Sequence, residues 1–524
     1  MSTTDSIRTH AGTTGTESST PRAGRRQWLG LVLLMLPVLL ISVDNTVLSF
    51  ALPAISLDLR PSSTTLLWIV DIYPLVLAGL LVAMGTLGDR VGRRRLLLIG
   101  ATGFGVVSVA AAFAPTAELL IAARAVMGFF GAMIMPSTLS LLRSMFQDAR
   151  QRTMAIAVWA GAFAAGSSLG PIVGGVVLQH FSWGAVFLIA VPFLLPLVAF
   201  AGLLIPESKD PAPLRIDLVS VALSLLTLAP LVFAIKTLTH DGVGGLGLGA
   251  LALGLVAGAL FLRRQLRIDN PLLDLSLFRN APFAGSVLAN FLAVFSLVGF
   301  LFFVSQHLQL VLGLDPLAAG LLLLPGAVLS VVAGLAAAYV VRRVPPRLVI
   351  VAGILLSAGG FGMIVLLREN LSAGVIMVAF GILSVGVGAA ETISNDTILS
   401  SVPPDKAGAA AGVSETAYEL GAVLGTAVLG AILAASYRSA VVLPDGLGSG
   451  AATQAGETLG GALGVAGELP GAQASALTES AKAAFDSGVG VTSIIAVVLM
   501  LVAAAAVQLS MRPRRAAAAA QPRG

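Results

Sequence analysis

This amino-acid sequence reads as an all-α, polytopic membrane protein. Of its 524 residues 57% are hydrophobic and 11% charged, and the mean hydropathy is +0.96, a balance that soluble globular chains do not show. Apolar runs of roughly 20 residues, each long enough to cross the hydrocarbon core, recur along the whole chain. A secreted domain behind a signal peptide gives no such recurrence, and residues 1–27 are polar without a cleavage pattern. The net charge of +5 and pI near 9.9 raise the alternative of nucleic-acid binding, which the placement of the charges removes. Cysteine is absent and the four histidines are scattered, so disulfides and the usual metal-ligand spacings are not expected.

Fourteen spans are expected, at 28–50, 64–86, 95–114, 117–139, 153–178, 184–205, 215–235, 243–262, 283–308, 315–341, 347–367, 372–400, 407–436 and 488–510. With a cytoplasmic N-terminus, 25 of the 31 Lys and Arg residues fall in tails and inner loops. Five fall in outer loops, namely Arg60, Lys236, Arg368, Arg438 and Lys482, and Arg124 lies inside a helix. This bias places both termini in the cytoplasm and accounts for the basic pI without a nucleic-acid partner. Trp28, Trp68 and Trp183 fall at expected helix ends, where indole rings anchor at the interface.

Along the chain, span 1 holds Asp44 in "LISVDNTVLSFALPAI", span 2 holds Asp71 and span 4 holds Arg124. Counted from the expected outer ends of their helices, all three lie roughly 10 Å deep and share a level. An isolated charge at a helix centre costs about 2.5–3.5 kcal/mol, so mutual pairing is expected. That pairing is either a packing salt bridge or a chemical device, because two carboxylates facing one guanidinium leave one acid unmatched and able to exchange a proton. After span 2, "GTLGDRVGRRRLLLIG" at 85–100 sets Gly85, Gly88 and Gly92 around Asp89 and Arg90. Glycines allow a tight turn, and Asp89 can cap a helix N-terminus or pair with an arginine of a neighbouring helix. An ordinary basic loop would explain the arginines but not this spacing. In span 5, "AGSSLGPIVGGVV" at 165–177 puts Gly166, Gly170 and Gly174 on one stripe with Pro171 inside it, so close helix approach and a bend follow.

Spans 7 and 8 contain no intramembrane acid, which suggests a pair inserted between two six-helix halves; similar arginine-rich hairpins, 88–95 and 341–347, are what related transporter halves show. The expected division is a tail (1–27), a first half (28–205), the inserted pair with its loops (206–282), a second half (283–510) and a second tail (511–524). Phe163, Phe291, Phe295, Phe302 and Phe303 could meet an amphipathic ligand, although for each one plain packing is the commoner role. Glu391 and Asp396 belong at the inner rim of span 12. In span 13 Glu415 and Glu419, four residues apart, share a face. They lie about 12 and 18 Å from the inner end, where repulsion favours a proton on one of them; a polar contact with a neighbouring helix is the plainer role. The Ala-, Gly- and Ser-rich stretch 437–487 reads as an outer loop, mobile or with a short surface helix at "LTESAKAAFDSG".

The hairpin after span 2 resembles the hallmark loop of the major facilitator superfamily, G-x-L-x-D-R-x-G-R-R, matched at Gly85, Leu87, Asp89, Arg90, Gly92, Arg93 and Arg94. The resemblance implies the major facilitator fold, with this loop as a conformational latch between the halves. The spacing G-x-x-x-G-P-x-x-G-G, at Gly166, Gly170, Pro171, Gly174 and Gly175, is similar to the signature of antiporters in that superfamily and so implies export. "DNTVLSFALPAI", "WIVDIYPLVLAG", "LLIAARAVMGFFGAMIMP" and "PLLDLSLFRNAPF" resemble the fourteen-helix drug:proton antiporter branch. "VSETAYELGAVLGTA" is similar to multidrug exporters of quaternary ammonium compounds, dyes and fluoroquinolones. Ser330 stands in span 10 where relatives can carry an acid, and Ser414 where some have a second consecutive glutamate, which counts against divalent cations.

The expectation is therefore a monomeric transporter of the bacterial plasma membrane that expels lipophilic, mostly cationic small molecules in exchange for protons. Asp44, Asp71, Arg124, Glu415 and Glu419 would handle proton and substrate. No cofactor, metal or catalytic residue is expected, because no phosphate loop follows a strand and no nucleophile–base set is present. Proton-coupled uptake, or export of one metabolite, on the same fold is the alternative.

Overall fold

The computed structural model describes residues 23–209, 217–269, 271–403 and 406–511. The polar tails expected at 1–27 and 511–524 lie mostly outside these residues. Among the described residues thirteen helices are long and apolar enough to span a membrane, and a pair bent by 43°, Arg150–Ser167 with Leu169–His180, makes a fourteenth. In chain order the elements are α1 (Arg25–Asp58), α2 (Ser63–Val91), α3 (Arg93–Ala112), α4 (Ala117–Met145), α5 (Ala149–His180), α6 (Ala185–Leu204), α7 (Leu218–His240) and α8 (Gly245–Gln265). There follow α9 (Ala281–Val311), α10 (Pro316–Val340), α11 (Pro346–Leu366), α12 (Ala373–Ser400), α13 (Ala409–Ala440), two short helices α14 (Ser449–Glu457) and α15 (Leu459–Ala466), and the last span α16 (Gly471–Ser510).

Each start follows from local chemistry. The side chains of Ser62, Thr116, Asp148, Asp217, Asp315 and Ser372 accept from backbone amides that open α2, α4, α5, α7, α10 and α12, satisfying donors that have no partner within the helix. Proline inside a helix would break it in water. Pro37, Pro53, Pro74, Pro136, Pro171 and Pro325 are nonetheless accommodated here, as neighbouring helices in a membrane allow. The bend of α5 falls at residues 167–169, where the ring of Pro171 meets the preceding turn.

Two packed groups emerge. Helices α1–α6 contact one another through α1·α5, α2·α4, α3·α4, α1·α6 and α3·α6, and α9–α13 with α16 do so through α10·α12, α11·α12, α9·α13 and α11·α16. The groups meet along α5·α10, α2·α13 and α1·α9. Helices α7 and α8 pack chiefly on each other, and only 22% and 17% of their apolar stretches are buried against protein. Peripheral as it is, α7 also touches α2 of the first group and α13 of the second.

Three expectations change. The segment "LTESAKAAFDSG" is not a separate surface helix but belongs to the first part of the 40-residue α16, which runs unbroken through the buried Gly488 and Gly490 into the apolar run. The stretch 437–487 is not simply a loop, since it includes α14 and α15. Finally, α7 continues to His240, so Lys236 lies within the helix and is 1% exposed; its charge had marked it as a loop residue.

Candidate functional site

Two buried ion pairs involve the first group, one within it and one between it and α7. Arg124 of α4 reaches Asp44 of α1 at 3.4 Å, and its guanidinium lies over the Tyr73 ring, 4.9 Å from the centroid. Asp71 of α2 does not take Arg124 as its direct partner. It meets the Lys236 ammonium at 2.8 Å, both side chains being fully buried. The expected arithmetic of two acids against one cation is thereby corrected to two against two, since sequence-based placement had left Lys236 in water. Trp68, expected as an interfacial anchor, instead lays its ring against the same ammonium, 3.9 Å from the centroid.

Helix α13 faces this cluster. Glu419 is 1% exposed and Glu415 half-buried. Each has a buried carboxylate oxygen, Oε2 and Oε1 respectively, with no hydrogen-bond donor against it. Tyr73 lies within electrostatic reach of Asp44 and Arg124 in its own group and of Glu415 and Glu419 across the interface, and its hydroxyl is buried without a partner. Four charged side chains from α1, α4 and α13 are therefore within electrostatic reach of this phenol, Arg124 alone of them lying directly on its ring. Phe163 of α5 meets Tyr418 of α13 edge-on at 5.5 Å, giving the site an aromatic wall. Tyr73 and Tyr418 were not singled out from the sequence; their flanking charges, at Asp71 and Glu419, were the available signal. The backbone of Phe291 and Phe295 packs on the glycines Gly421 and Gly425 of α13, and Phe303 packs within the second group on Phe300 and Phe361.

Glu391 is not a freely solvated rim residue. It is half-buried and close enough for its charge to act on Glu415. Asp396 is exposed, as a rim position requires. Ser414, in the place of a second glutamate, donates to Asn395 Oδ1 at 2.5 Å and accepts from Asn290. Ser330 packs its backbone and hydroxyl on Gly388 of α12.

The glycine stripe of α5 fits against the helix that carries Asp44. A methyl group at Gly166 would lie 2.8 Å from Ser42 Cβ and one at Gly174 2.8 Å from Val47 Cγ2, while Gly170 abuts Thr46. Gly175 faces the other way, where a methyl would lie 2.8 Å from the Pro316 carbonyl of α10, and the Pro171 carbonyl closes on Gly320. One motif thus holds α5 to α1 and lays α5 along the second group.

In the 85–95 hairpin Asp89 pairs with Arg93 at the start of α3, at 2.7 Å. Gly85 and Gly88 pack on Pro136 and Leu96, and Arg90 is exposed. Gly92 has φ +120°, and a side chain there would strike the Glu207 carboxylate. Glu207 accepts from the Arg94 amide, the Arg93 amide donates to the Ser208 carbonyl, and Arg94 donates to the Ile205 carbonyl. The hairpin is therefore docked on the segment after α6, a partner that nothing in the sequence indicated.

At the opposite end the groups are tied together. Ser56 lies 3.4 Å from Thr458, Arg60 pairs with Glu468 at 2.8 Å, and Ser63 donates to Glu457. Arg438 of α13 donates to Ser63 and to the Thr239 carbonyl of α7. Burial pushes the Glu457 carboxyl up, but hydrogen bonds from Ser63 and the His240 ring outweigh it and hold the group below its ordinary value.

A spanning bundle of this order, with its hairpin and glycine motif in these positions, is matched by the family described as "Major Facilitator Superfamily" over residues 34–426. The chain belongs to the major facilitator superfamily. It is 58% identical to "Multidrug efflux pump LfrA" of Mycolicibacterium smegmatis, over 94% of this chain and 98% of that protein. It is 37% identical to "Methyl viologen resistance protein SmvA" of Salmonella typhimurium, over 88% and 93%. With the "Tetracenomycin C resistance and export protein" of Streptomyces glaucescens it shares 35% identity, over 95% of each. Among solved structures, the inward-facing, occupied form of a bacterial homologue of the human lysosomal transporter Spinster superposes with a TM-score of 0.62 at 17% identity, covering 93% of this chain and 97% of that one. The protein is thus a multi-pass transporter of a bacterial membrane and not an enzyme.

Proposed function

We propose that this protein expels lipophilic, mostly cationic compounds in exchange for protons, by alternating access between residues 28–205 and 283–510 moving as two units. The observation that carries the reading is the placement of the buried Asp44–Arg124 pair beside Tyr73 of α2, and of the donor-less carboxylate oxygens of Glu415 and Glu419 on α13, the helix that packs on α2 from the other group, in a chain similar over nearly its full length to multidrug exporters. Asp44, with Arg124 as counter-ion, loads and unloads the proton. Glu415 and Glu419 meet the cationic part of the substrate, with Phe163 and Tyr418 against its apolar part. The hairpin of Gly85, Asp89, Arg90, Gly92, Arg93 and Arg94 latches the conformations. Both termini lie in the cytoplasm, as the charge bias requires.

Energetics favours more than one exchangeable acid. Each proton entering contributes about 2.3 kcal/mol per 100 mV, and expelling one monovalent cation costs the same. One-for-one exchange therefore draws only on the pH difference, about 1.36 kcal/mol per unit, whereas a second proton adds the voltage.

Reconstituted protein tests this directly. A pH gradient imposed across vesicles should drive ethidium or tetraphenylphosphonium against its own gradient, and Asp44→Asn should abolish that movement while the protein remains inserted. Flux that ignores the gradient, or unimpaired pumping by the Asn variant, refutes the assignment. Glu415→Gln and Glu419→Gln should alter which cations move or how steeply transport depends on pH; wild-type behaviour with every cation tried would make both glutamates structural.

A further inference from the structure

The buried pair Lys236–Asp71 has no place in the cycle just described, and its position is informative. Lys236 is carried by α7, a helix otherwise largely turned away from protein, yet its ammonium is fully buried, 2.8 Å from Asp71 and 3.9 Å from the centre of the Trp68 ring. An ammonium held between a carboxylate and an aromatic face occupies the kind of box that would hold a cationic ligand. The surroundings fix α7 in that register. Ser224 donates to the Gly79 carbonyl, Leu225 closes on Gly79, and the Thr239 carbonyl and His240 ring engage Arg438 and Glu457. The inserted helix is thus bonded at three levels, to α2 in one group and to α13 and α14 on the other side.

We propose that Lys236 is a positioning residue: a tethered counter-cation that keeps Asp71 ionised and withholds it from proton and substrate exchange, so that Asp44, Glu415 and Glu419 act without it. The charged and titratable groups around Asp71 are Lys236 on α7 and Arg124 on α4, and, within electrostatic reach of Tyr73 two residues along α2, Asp44 on α1 and Glu415 and Glu419 on α13. Of these, Lys236 alone makes the direct ion pair with Asp71. Removing it leaves a lone carboxylate in a site shut off from water, which takes up a proton instead. Removing both partners leaves two neutral groups and an intact contact. The proposal rests on the exchange reading for its consequence in transport, but not for the charge state of Asp71.

Four variants test it: Lys236→Met, Lys236→Arg, Asp71→Asn and the double variant Asp71→Asn with Lys236→Met. Infrared titration of the purified protein reads the carboxyl, and ethidium efflux from reconstituted vesicles reads transport. Near neutral pH the wild type and Lys236→Arg should show no protonated carboxyl assignable to Asp71. Lys236→Met should gain one that the double variant loses, and its efflux profile should move by about one pH unit. The double variant should regain the wild-type profile and pump within about two-fold of wild type, even if Asp71→Asn alone fails to fold. If Lys236→Met is merely less heat-stable, with no new carboxyl signal and an unmoved profile, the lysine is structural and the proposal falls. An inactive but folded double variant beside an active Lys236→Arg would show that Asp71 itself takes part, and would overturn it too. Absence of gradient-driven efflux in the wild type would refute the proposed function while the carboxyl signals still decide the pairing.

Discussion

Asp44 and Lys236 show how unequally single residues speak through sequence. Asp44 announced itself, because an acid in an apolar run costs several kcal/mol unless partnered, and the partner is Arg124, the arginine inside span 4. Lys236 looked like a loop residue because a lysine near the end of an apolar segment ordinarily reaches for water. What decides otherwise is Asp71 and Trp68 on α2, which are distant in the sequence. Gly92 is legible in part: its spacing marks a turn, whereas its φ of +120° and the adjacent Glu207 carboxylate, which together exclude a side chain, belong to the folded structure. Gly92→Ala should therefore destabilise the hairpin by about 1–3 kcal/mol, read as a lowered unfolding temperature of the detergent-solubilised protein.

Among elements, the inserted pair and the glycine stripe carry the most testable consequences. Asp217 caps α7 and holds Arg264 of α8 through two bonds of 2.9 Å. The Arg264 hydrogen bonds hold its carboxyl down at about 2. A depressed carboxylate contributes stability that is present above its ordinary value near 4 and is lost as pH falls toward 2. Asp217→Ala should lower stability by about 1 kcal/mol at neutral pH, with the gap to wild type closing in acid, as thermal unfolding at both pH values would show. The stripe in α5 works by contact. Gly170→Leu should prise α5 from α1 and abolish efflux, whereas a leucine at Gly362, with nothing within 4 Å of its added carbon, should leave efflux intact; vesicle assays of the two variants make the comparison.

At the scale of the whole molecule, the end carrying α14 and α15 is shut by contacts between the groups, while the 85–95 hairpin at the other end is bound within its own group. Alternating access requires the shut end to separate. Because the chain has no cysteine, Ser56→Cys with Thr458→Cys gives a clean reporter: the hydroxyls lie 3.4 Å apart, so oxidation should form a disulfide with minor adjustment and stop efflux, and reduction should restore it. A cross-linked protein that still pumps would show that this closure is not part of the cycle.

The sequence by itself determined that the chain is an all-helical bundle of some fourteen spans, and pointed to Asp44, Asp71, Glu415 and Glu419 but not to Glu391, because hydrophobic length and the cost of intramembrane charge are local properties of each segment whereas burial at a helix end is not. It also determined the family, through glycines whose spacing is tied to a turn and to a helix contact. Only the tertiary structure decided who partners whom: Lys236 with Asp71, Glu207 with the hairpin, Tyr73 between the acids of both groups, and the continuity of α16 with its outer segment. Those contacts join residues far apart in the chain, and their energies depend on distance and burial, quantities that exist only once the helices have packed.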